Sequence, residues 1–407
     1  MLTRLVHPAA FLFFLALCAA CNQTPVSEPT DSAHVTTIRQ LADSLQTVFA
    51  PDKRVALFDL NVAENKDTIT LTGVTDQPAA HAALIAELEK DGIMFVDSIR
   101  ILPDPALGDR TFGVVRQSVA NLRSQMGHSQ ELATQAVLGT PLRVLEKDPA
   151  GGDWYRVQTP DGYIAWLDGG GFQPLGTAQM SGYQTSNRVL FNGDFGLVRS
   201  LPTAAAPVLL DLVPGSLLVQ IGNAGPYTQV KLPDGRRGYL PSDQPITYER
   251  WTAERPFSVP AILATADRLS GRPYLWGGTS AKGMDCSGFT KTVYRLNGLI
   301  IPRDASQQVH VGTEVALNDS LTNLQPGDFL FFGNLREDGS QRITHVGIYT
   351  GNGNFIHAGA DNGATATNNL LPGRPLYAEH RRKSLLRAKR LRPDGQGVMP
   401  IAQSGWY

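Results

Sequence analysis

Hydrophobic positions change period several times along the chain, and each change marks a candidate unit. Over 9–20 they form an unbroken apolar run, too short to cross a bilayer but suited to the core of a secretory signal spanning 1–20, with Arg4 and His7 ahead of it. Over 22–33 apolar residues thin out and Pro25, Pro29, Ser and Thr dominate, which predicts a tether over 21–34. Helical spacing then puts Ile38, Leu41, Leu45 and Val48 on one face. Alternating stretches near 55–62 and 67–72, a helix over 79–90 and a strand over 93–102 follow, predicting a small α+β domain over 35–105.

From 110 to 245 the apolar runs are short, and the pattern repeats once. Leu122-Arg123-Ser124, Leu138-Gly139-Thr140 and Trp154-Tyr155-Arg156-Val157 precede Pro160-Asp161-Gly162-Tyr163-Ile164-Ala165-Trp166-Leu167. The second copy carries Val198-Arg199-Ser200, Val213-Pro214-Gly215-Ser216 and Tyr227-Thr228-Gln229-Val230 before Pro233-Asp234-Gly235-Arg236-Arg237-Gly238-Tyr239-Leu240. The Pro-Asp-Gly turns stand 73 positions apart with their flanking pattern kept, which predicts two all-β units over 110–176 and 180–247. Trp154, Tyr163, Trp166, Tyr227 and Tyr239 either fill the cores of these units or line a groove, and packing is the commoner fate of any one of them.

A basic, proline-flanked stretch over 250–260 leads into the last region, 255–395. Helical periodicity over 259–269 closes at Gly271, and Gly283-Met284-Asp285-Cys286-Ser287-Gly288-Phe289 opens a second helix that stops at Asn297-Gly298. Cys286 is therefore expected at a helix N-terminus, where free backbone N–H groups and the helix dipole favour a thiolate. A β-branched alternating strand carries His345 and ends at Gly351-Asn352-Gly353, and the returning strand carries His357. That hairpin pairs Phe355 near Ile348 and brings the two imidazoles side by side. Nucleophile, base and orienting group then come from one helix and two strands.

Composition narrows the readings. A chain of 407 residues with 40 Gly and 27 Pro is expected to form several turn-rich domains rather than one helical bundle. Its 36 Lys and Arg against 37 Asp and Glu give no overall positive field to hold a polyanion, which argues against nucleic acid as the main partner. Three cysteines are present. Cys18 falls in the signal and Cys21 at its end, so Cys286 remains as a lone thiol with no internal disulfide partner.

Four resemblances add to this reading. Leu17-Cys18-Ala19-Ala20-Cys21 resembles a bacterial lipobox, with Cys18 where Leu is usual, and implies lipidation of Cys21 and a membrane anchor facing the periplasm. No acidic or lysine-rich sorting signal follows Cys21. Thr68-Ile69-Thr70-Leu71-Thr72-Gly73 with the following Ala-rich helix and Val96-Asp97-Ser98-Ile99 resembles the BON domains of bacterial envelope proteins. The repeat resembles tandem bacterial SH3 (SH3b) domains. Six motifs in order resemble the NlpC-type family of cell-wall cysteine peptidases. They are Tyr274-Leu275-Trp276-Gly277-Gly278, Asp285-Cys286-Ser287-Gly288-Phe289, Pro302-Arg303-Asp304-Ala305-Ser306-Gln307-Gln308, Pro326-Gly327-Asp328-Phe329-Leu330-Phe331-Phe332, His345-Val346-Gly347-Ile348-Tyr349 and Phe355-Ile356-His357-Ala358.

The fold implied is multidomain: a papain-like α+β catalytic domain preceded by two SH3-like β-barrels and a small BON-like α+β domain. The resemblance makes Cys286 the nucleophile, His345 the base, His357 its orienting partner and Tyr274 an oxyanion donor. It also makes Asp285, helped by Ser287, the receiver of an unblocked L-Ala amine. Family members with an SH3b domain in front use it to wall the cleft, which makes Glu131 and Tyr163 candidates for that wall. Arg303 and Asp304 read as a structural ion pair, and the basic stretches at 381–383 and 387–392 as solvated surface. The expected activity is hydrolysis of the amide between γ-D-Glu and an L-diamino acid (diaminopimelate or Lys) in short peptidoglycan peptides, by a monomer with no cofactor. Three rivals stay open. One is an amidase or crosslink endopeptidase on intact wall. Another is a non-catalytic wall-binding scaffold. The third is a zinc site of Cys286, His345 and His357.

Overall fold

The computed structural model describes residues 32–65, 68–252, 257–393 and 395–407. The expected signal over 1–20 and the lipidation candidate Cys21 lie outside the described residues. The first unit starts at Ser32, whose side chain caps helix α1 (Ala33–Phe49) by accepting from Val35 N–H, so the end of the expected tether is already helical. Strands β1 (Phe58–Asn65), β2 (Thr68–Thr75) and β3 (Phe95–Ile101) form one sheet, β1 antiparallel and β3 parallel to β2, with helix α2 (Pro78–Lys90) as the crossover. Val35, Ile38 and Ala42 bury one stripe of α1 against Leu71 and Leu84. Val48, expected on that stripe, is 72% exposed, because at about 100° per residue the helix turns it away from the stripe that continues through Leu45 and Phe49.

Two seven-stranded sheets follow. The first contains β4 (Phe112–Val115), β5 (Val119–Arg123), β6 (Leu132–Val137), β7 (Pro141–Lys147), β8 (Trp154–Gln158), β9 (Ile164–Asp168) and β10 (Phe172–Leu175). After helix α3 (Thr177–Gln184), the second contains β11 (Arg188–Phe191), β12 (Gly196–Arg199), β13 (Val208–Leu212), β14 (Leu217–Ala224), β15 (Tyr227–Lys231), β16 (Arg237–Pro241) and β17 (Pro245–Thr247). Their strand orders, β10-β4-β7-β8-β9-β5-β6 and β17-β11-β14-β15-β16-β12-β13, are the same order shifted by seven strands, so the sequence repeat is a repeat of topology. Each Pro-Asp-Gly turn joins equivalent strands, β8 to β9 and β15 to β16. Tyr163 and Trp166 are buried, whereas Trp154, Tyr227 and Tyr239 are half-buried.

Helix α4 (Tyr248–Thr252) leads to the last unit. Its helices are α5 (Val259–Arg268), α6 (Cys286–Leu296), α7 (Ala305–Gln308) and α8 (Glu379–Ser384). Short strands β18 (Thr279–Ser280), β19 (Gly283–Met284) and β20 (Leu299–Ile300) flank α6. A six-stranded antiparallel sheet runs in the order β21 (Thr313–Val315), β26 (Leu385–Arg390), β22 (Phe329–Leu335), β23 (Gln341–Gly351), β24 (Asn354–Gly359), β25 (Ala364–Asn369), and β27 (Met399–Pro400) pairs with β20. The apolar side of α6 (Phe289, Val293, Leu296) packs with Phe331, Val346, Ile348 and Ile356 of this sheet into one core. The β23–β24 hairpin pairs Ile348 with Ile356 and Tyr349 with Phe355, one residue off the expected register, because an irregularity between Tyr349 and Gly351 takes up a residue at the turn.

The units are joined by polar contacts at defined points. Gln135 of β6 exchanges hydrogen bonds with Thr279 of β18, Thr279 Oγ1 donating to Gln135 O at 2.7 Å and Thr279 N–H to Gln135 Oε1 at 3.0 Å. The Asp161 carboxylate of the first Pro-Asp-Gly turn meets Lys291 Nζ of α6 at 2.8 Å, both side chains nearly buried. Burial pulls the Lys291 pKa down, and Asp161 opposes that pull. The Asp161→Asn variant removes one partner of a desolvated pair, so it should cost about 3 kcal/mol in urea unfolding, and adding Lys291→Met should recover most of that loss. Equal stability of Asp161→Asn and wild type would show that this pair does not hold the β unit to α6.

Candidate active site

Cys286 is the first residue of α6, and Asp285 is its N-cap, accepting from Gly288 N–H at 2.7 Å. A glycine is required at 288 by close approach: a Cβ there would lie 2.0 Å from Gly278 O, so any side chain would push α6 away from the 272–278 loop. The backbone amides of Val346 and Ser287 act on the Cys286 thiol, which sets the sulfur near the residue that follows His345 on β23. A bulge between Phe332 and Gly333 leaves Thr344 without a ladder partner and turns the strand just before His345. Cys286 is buried and is the free cysteine among the described residues.

The imidazoles form a relay. His345 Nε2 lies 2.8 Å from His357 Nδ1, and His357 Nε2 lies 2.8 Å from Asn368 Oδ1. Gly347 makes this possible, since a Cβ there would lie 3.1 Å from His357 Cβ on the neighbouring strand. Asn368 is itself oriented: Asn362 Nδ2 donates to its Oδ1 at 2.8 Å and its Nδ2 donates to Leu376 O at 3.4 Å. An acceptor at Asn368 Oδ1 puts the proton on His357 Nε2. His357 Nδ1 then accepts from His345 Nε2–H, leaving His345 Nδ1 bare to take a proton. Sequence reading missed Asn368. Its only signal was a polar position in the strand after His357, and its role needs the β24–β25 register, which pairs it with Phe355.

The same relay weighs against the zinc alternative, because both His357 nitrogens are already engaged and the two rings share a proton rather than converge on one point. Among the described residues no group of three or more His, Cys, Asp or Glu is placed to hold a metal ion.

Electrostatics reverse one expectation. Burial, and then the Asp285 charge, push the Cys286 thiol up to about 12, against the amides of Val346 and Ser287. The magnitudes explain why. Desolvation moves a fully buried group by about 3–5 pKa units, whereas a helix terminus supplies less than about 1 unit. Burial, with Arg381 next, likewise holds His345 well below its ordinary value, and burial brings His357 to about 4. The resting site is therefore a neutral thiol beside a neutral imidazole. The half-buried Tyr274 phenol is raised to about 12 by burial and by Cys286, so it remains a hydrogen-bond donor beside the sulfur.

Asp285 and Ser287 stand in a different setting from the one expected. Arg303, 1% exposed, grips Asp285 with Nη2 to Oδ2 at 2.7 Å and Nη1 to Oδ1 at 3.0 Å, and Nη1 also donates to Ser287 Oγ at 2.9 Å. Gly277 N–H donates to Asp285 Oδ2 at 2.9 Å. Both carboxylate oxygens are thus engaged already. Arg303 pairs closely with Asp285 rather than with Asp304, whose nearer contact is 3.8 Å, because burial selects the partner that offers two oxygens. The basic C-terminal stretches are also more paired than a solvated run would be, with Arg381 on Asp361, Arg387 and Lys389 on Glu314, and Arg390 on Asp328.

The first β unit meets the last unit near Asp285 through side-chain hydrogen bonds. The exposed Glu131 accepts from the Trp276 indole N–H at 2.7 Å, and Thr134 Oγ1 accepts from Arg303 Nε at 3.2 Å. Tyr163 is buried, and burial, with the Asp304 charge next, pushes its phenol up. Of the two wall candidates, Glu131 is exposed and bonded to Trp276 of the 272–278 loop, whereas Tyr163 packs into the core of its own β unit, the commoner fate expected of such an aromatic.

Comparison with known proteins follows these features. The NlpC/P60 family matches residues 271–381, and a family described as the bacterial dipeptidyl-peptidase Sh3 domain matches 122–170. A gamma-D-glutamyl-L-lysine dipeptidyl-peptidase from Bacillus cereus (strain ATCC 10987 / NRS 248) is 31% identical over 249 residues, 57% of this chain and 68% of that protein. Dipeptidyl-peptidase 6 from Lysinibacillus sphaericus is 28% identical over 272 residues, 65% of this chain and 94% of that protein. The fold is shared with a crystal structure of an NlpC/P60 family protein from Bacillus cereus ATCC 10987, with TM-score 0.58 and 23% identity, covering 69% of this chain and 100% of that one.

A neutral resting thiol has a direct kinetic signature. Alkylation of Cys286 by iodoacetamide should climb roughly tenfold per pH unit from about pH 6 to about pH 9 without a plateau, since the thiolate fraction keeps growing below the thiol pKa. A plateau that begins below neutral pH would instead reveal a preformed thiolate–imidazolium pair.

Proposed function

The chain belongs to the NlpC/P60 family of cysteine peptidases, and from that premise we propose that it hydrolyses the amide between γ-D-Glu and an L-diamino acid in short peptidoglycan stem peptides. The observation that carries this reading is the sulfur of Cys286 held beside the His345–His357–Asn368 relay, in a cleft walled by an Sh3-type unit bearing Glu131. Cys286 Sγ attacks the γ-carbonyl carbon as its proton passes to His345 Nδ1, so the charged pair forms only when substrate is present. The backbone N–H of Cys286 and the Tyr274 hydroxyl are aimed at the developing oxyanion. His345 gives the proton to the leaving amine, and water, deprotonated by His345, then releases the acyl group.

Glu131 suits the unblocked L-Ala ammonium because one hydrogen bond from Trp276 orients its carboxylate and leaves it otherwise exposed. Asp285 acts with Ser287 at one remove, through the charge it shares with Arg303. An acylated amine offers no positive charge to Glu131 and leaves that carboxylate unanswered, which selects against intact wall. In the same reading, the second seven-stranded sheet is a second SH3b barrel, the first unit is BON-like and the last unit is papain-like. Cys21 carries a lipid anchor that holds the monomer in the cell envelope facing the periplasm.

The test is digestion of L-Ala-γ-D-Glu-diaminopimelate and its lysine counterpart, read by mass spectrometry. Wild type should release L-Ala-γ-D-Glu, Cys286→Ala should release none, and acetylating the alanine should lower turnover by about a hundredfold or more. Product from Cys286→Ala refutes the nucleophile. Cleavage at the acetylmuramoyl amide or at a crosslink selects the amidase or endopeptidase reading instead, and retention on wall without hydrolysis selects the scaffold.

A further inference from the structure

The unit over 33–103 lies outside both family matches, yet one of its loops reaches the amine end of the cleft. Arg54 sits in that loop. Its Nε and Nη2 grip Asp52 at 2.7 Å each, and its Nη1 donates to Asp304 Oδ2 at 2.8 Å and to Ser306 Oγ at 2.9 Å. Gln307 Nε2 donates to Asp52 Oδ2 at 2.7 Å, so the loop is fixed to the α7 segment through both Asp52 and Arg54. Its backbone is pinned to the first β unit, with Ile164 N–H donating to Arg54 O at 2.7 Å and Gln158 Nε2 to Val55 O at 3.4 Å. An apolar cluster of Leu57, Val74, Leu102, Leu145 and Ile164 seals the same junction.

Asp304 is the element through which this docking touches the cleft. One of its oxygens takes Arg54, the other faces Arg303 at 3.8 Å, and its charge acts on the buried Tyr163 phenol. Arg303 in turn holds Asp285 and Ser287. Three carboxylates (Asp52, Asp304, Asp285) thus alternate with two guanidiniums along one line that ends beside Cys286. Removing Arg54 leaves Asp304 with Arg303 as its nearest cation. Arg303 is then shared between two carboxylates, and its fork on Asp285 and Ser287 loosens.

We propose that Arg54 is a positioning residue for substrate, through which the N-terminal unit fixes Asp304, Tyr163 and Arg303 and so shapes the amine-recognition end of the cleft. The proposal rests on the peptidase reading above and deepens it by giving the unmatched unit a part in substrate selection. Arg54 touches neither the sulfur nor the imidazoles, so its loss should act on binding more than on the chemical step.

Steady-state kinetics on the free-amine tripeptide, with the full chain, test this. Arg54→Ala should raise KM by roughly tenfold while kcat stays within about twofold, the size of effect expected from losing one charge-assisted hydrogen bond. Arg54→Lys, which keeps the charge at Asp304 without the fork, should recover part of that loss. In an Asp304→Asn background the further change to Arg54→Ala should have little effect on KM, because the one charge through which Arg54 reaches Arg303 is already gone and its remaining pair with Asp52 lies away from Arg303. Thermal unfolding of each variant supplies the structural control. An unchanged KM in Arg54→Ala, a fall in kcat that tracks a fall in melting temperature, or an equal effect of Arg54→Ala in both backgrounds would each overturn the proposal. Absence of turnover by wild type itself would defeat the peptidase reading and this proposal with it, an outcome distinct from an active wild type that ignores Arg54.

Discussion

The buried pair of Arg303 and Asp285 is the interaction on which the rest of the site depends. Two opposite charges with almost no exposure are expensive to desolvate, and such a pair is tolerated only when every remaining donor and acceptor is used. Here they are used. Asp285 takes two guanidinium nitrogens and the amides of Gly277 and Gly288, and Arg303 spends its remaining donors on Ser287 and Thr134. Each of those partners belongs to a different part of the site: the 272–278 loop, the first turn of α6, and strand β6 of the neighbouring β unit. One ion pair therefore fixes where α6 begins, how the loop bearing Tyr274 and Trp276 lies, and where the wall stands. The direction of the Arg303 pKa agrees: burial works against its charge, but Asp285 outweighs burial and leaves it above the ordinary value.

That tight enclosure also sets the resting protonation. A helix N-terminus alone favours a thiolate, but Asp285 occupies the position nearest those N–H groups and adds a negative charge of its own. Burial then raises the thiol and lowers both imidazoles, which disfavours charge on either partner in the free site. In such a site the relay matters less as a source of charge than as a fixer of tautomer. Asn368 decides which nitrogen of His357 carries hydrogen, and that decides which nitrogen of His345 faces the sulfur. A buried neutral pair also resists adventitious oxidation, since the thiolate is the species that reacts.

Local signals made much of this legible in the sequence. Asp285 before Cys286 is a capping residue before a helix, Gly351-Asn352-Gly353 is a hairpin turn, and the Pro-Asp-Gly pair announces a repeated β unit, so helix start, hairpin and repeat could be read from residues adjacent in the chain. The features that escaped depend on residues far apart. The partner of Arg303 could not be chosen without knowing that β6 and α6 bury it together. Asn368 needed a strand register, and the hairpin itself was misaligned by one residue because an irregularity at a turn leaves no mark in hydrophobic alternation. The thiol pKa was misjudged for the same reason: a dipole is visible in a helix boundary, but desolvation is a property of the assembled fold.

The order of the units along the chain follows from where the cleft needs help. On the leaving side of Cys286, the β23–β24–β25 strands supply His345, His357 and Asn368 from one continuous antiparallel sheet, whose geometry is set by backbone hydrogen bonds. On the amine side, α6 and α7 meet with only short loops between them, and a two-residue strand such as β18 cannot hold a wall by itself. That side is built from elsewhere: Glu131 and Tyr163 arrive on a β unit whose core is formed by its own buried side chains, and Arg54 arrives on a third unit wedged against both. Recognition of an ammonium needs carboxylates held apart from one another and from competing cations, which flexible loops do poorly. Under the proposed function, scaffolds with separate cores do this at modest cost in the stability of the catalytic unit, the chemical step being made by one unit and the selectivity assembled from three.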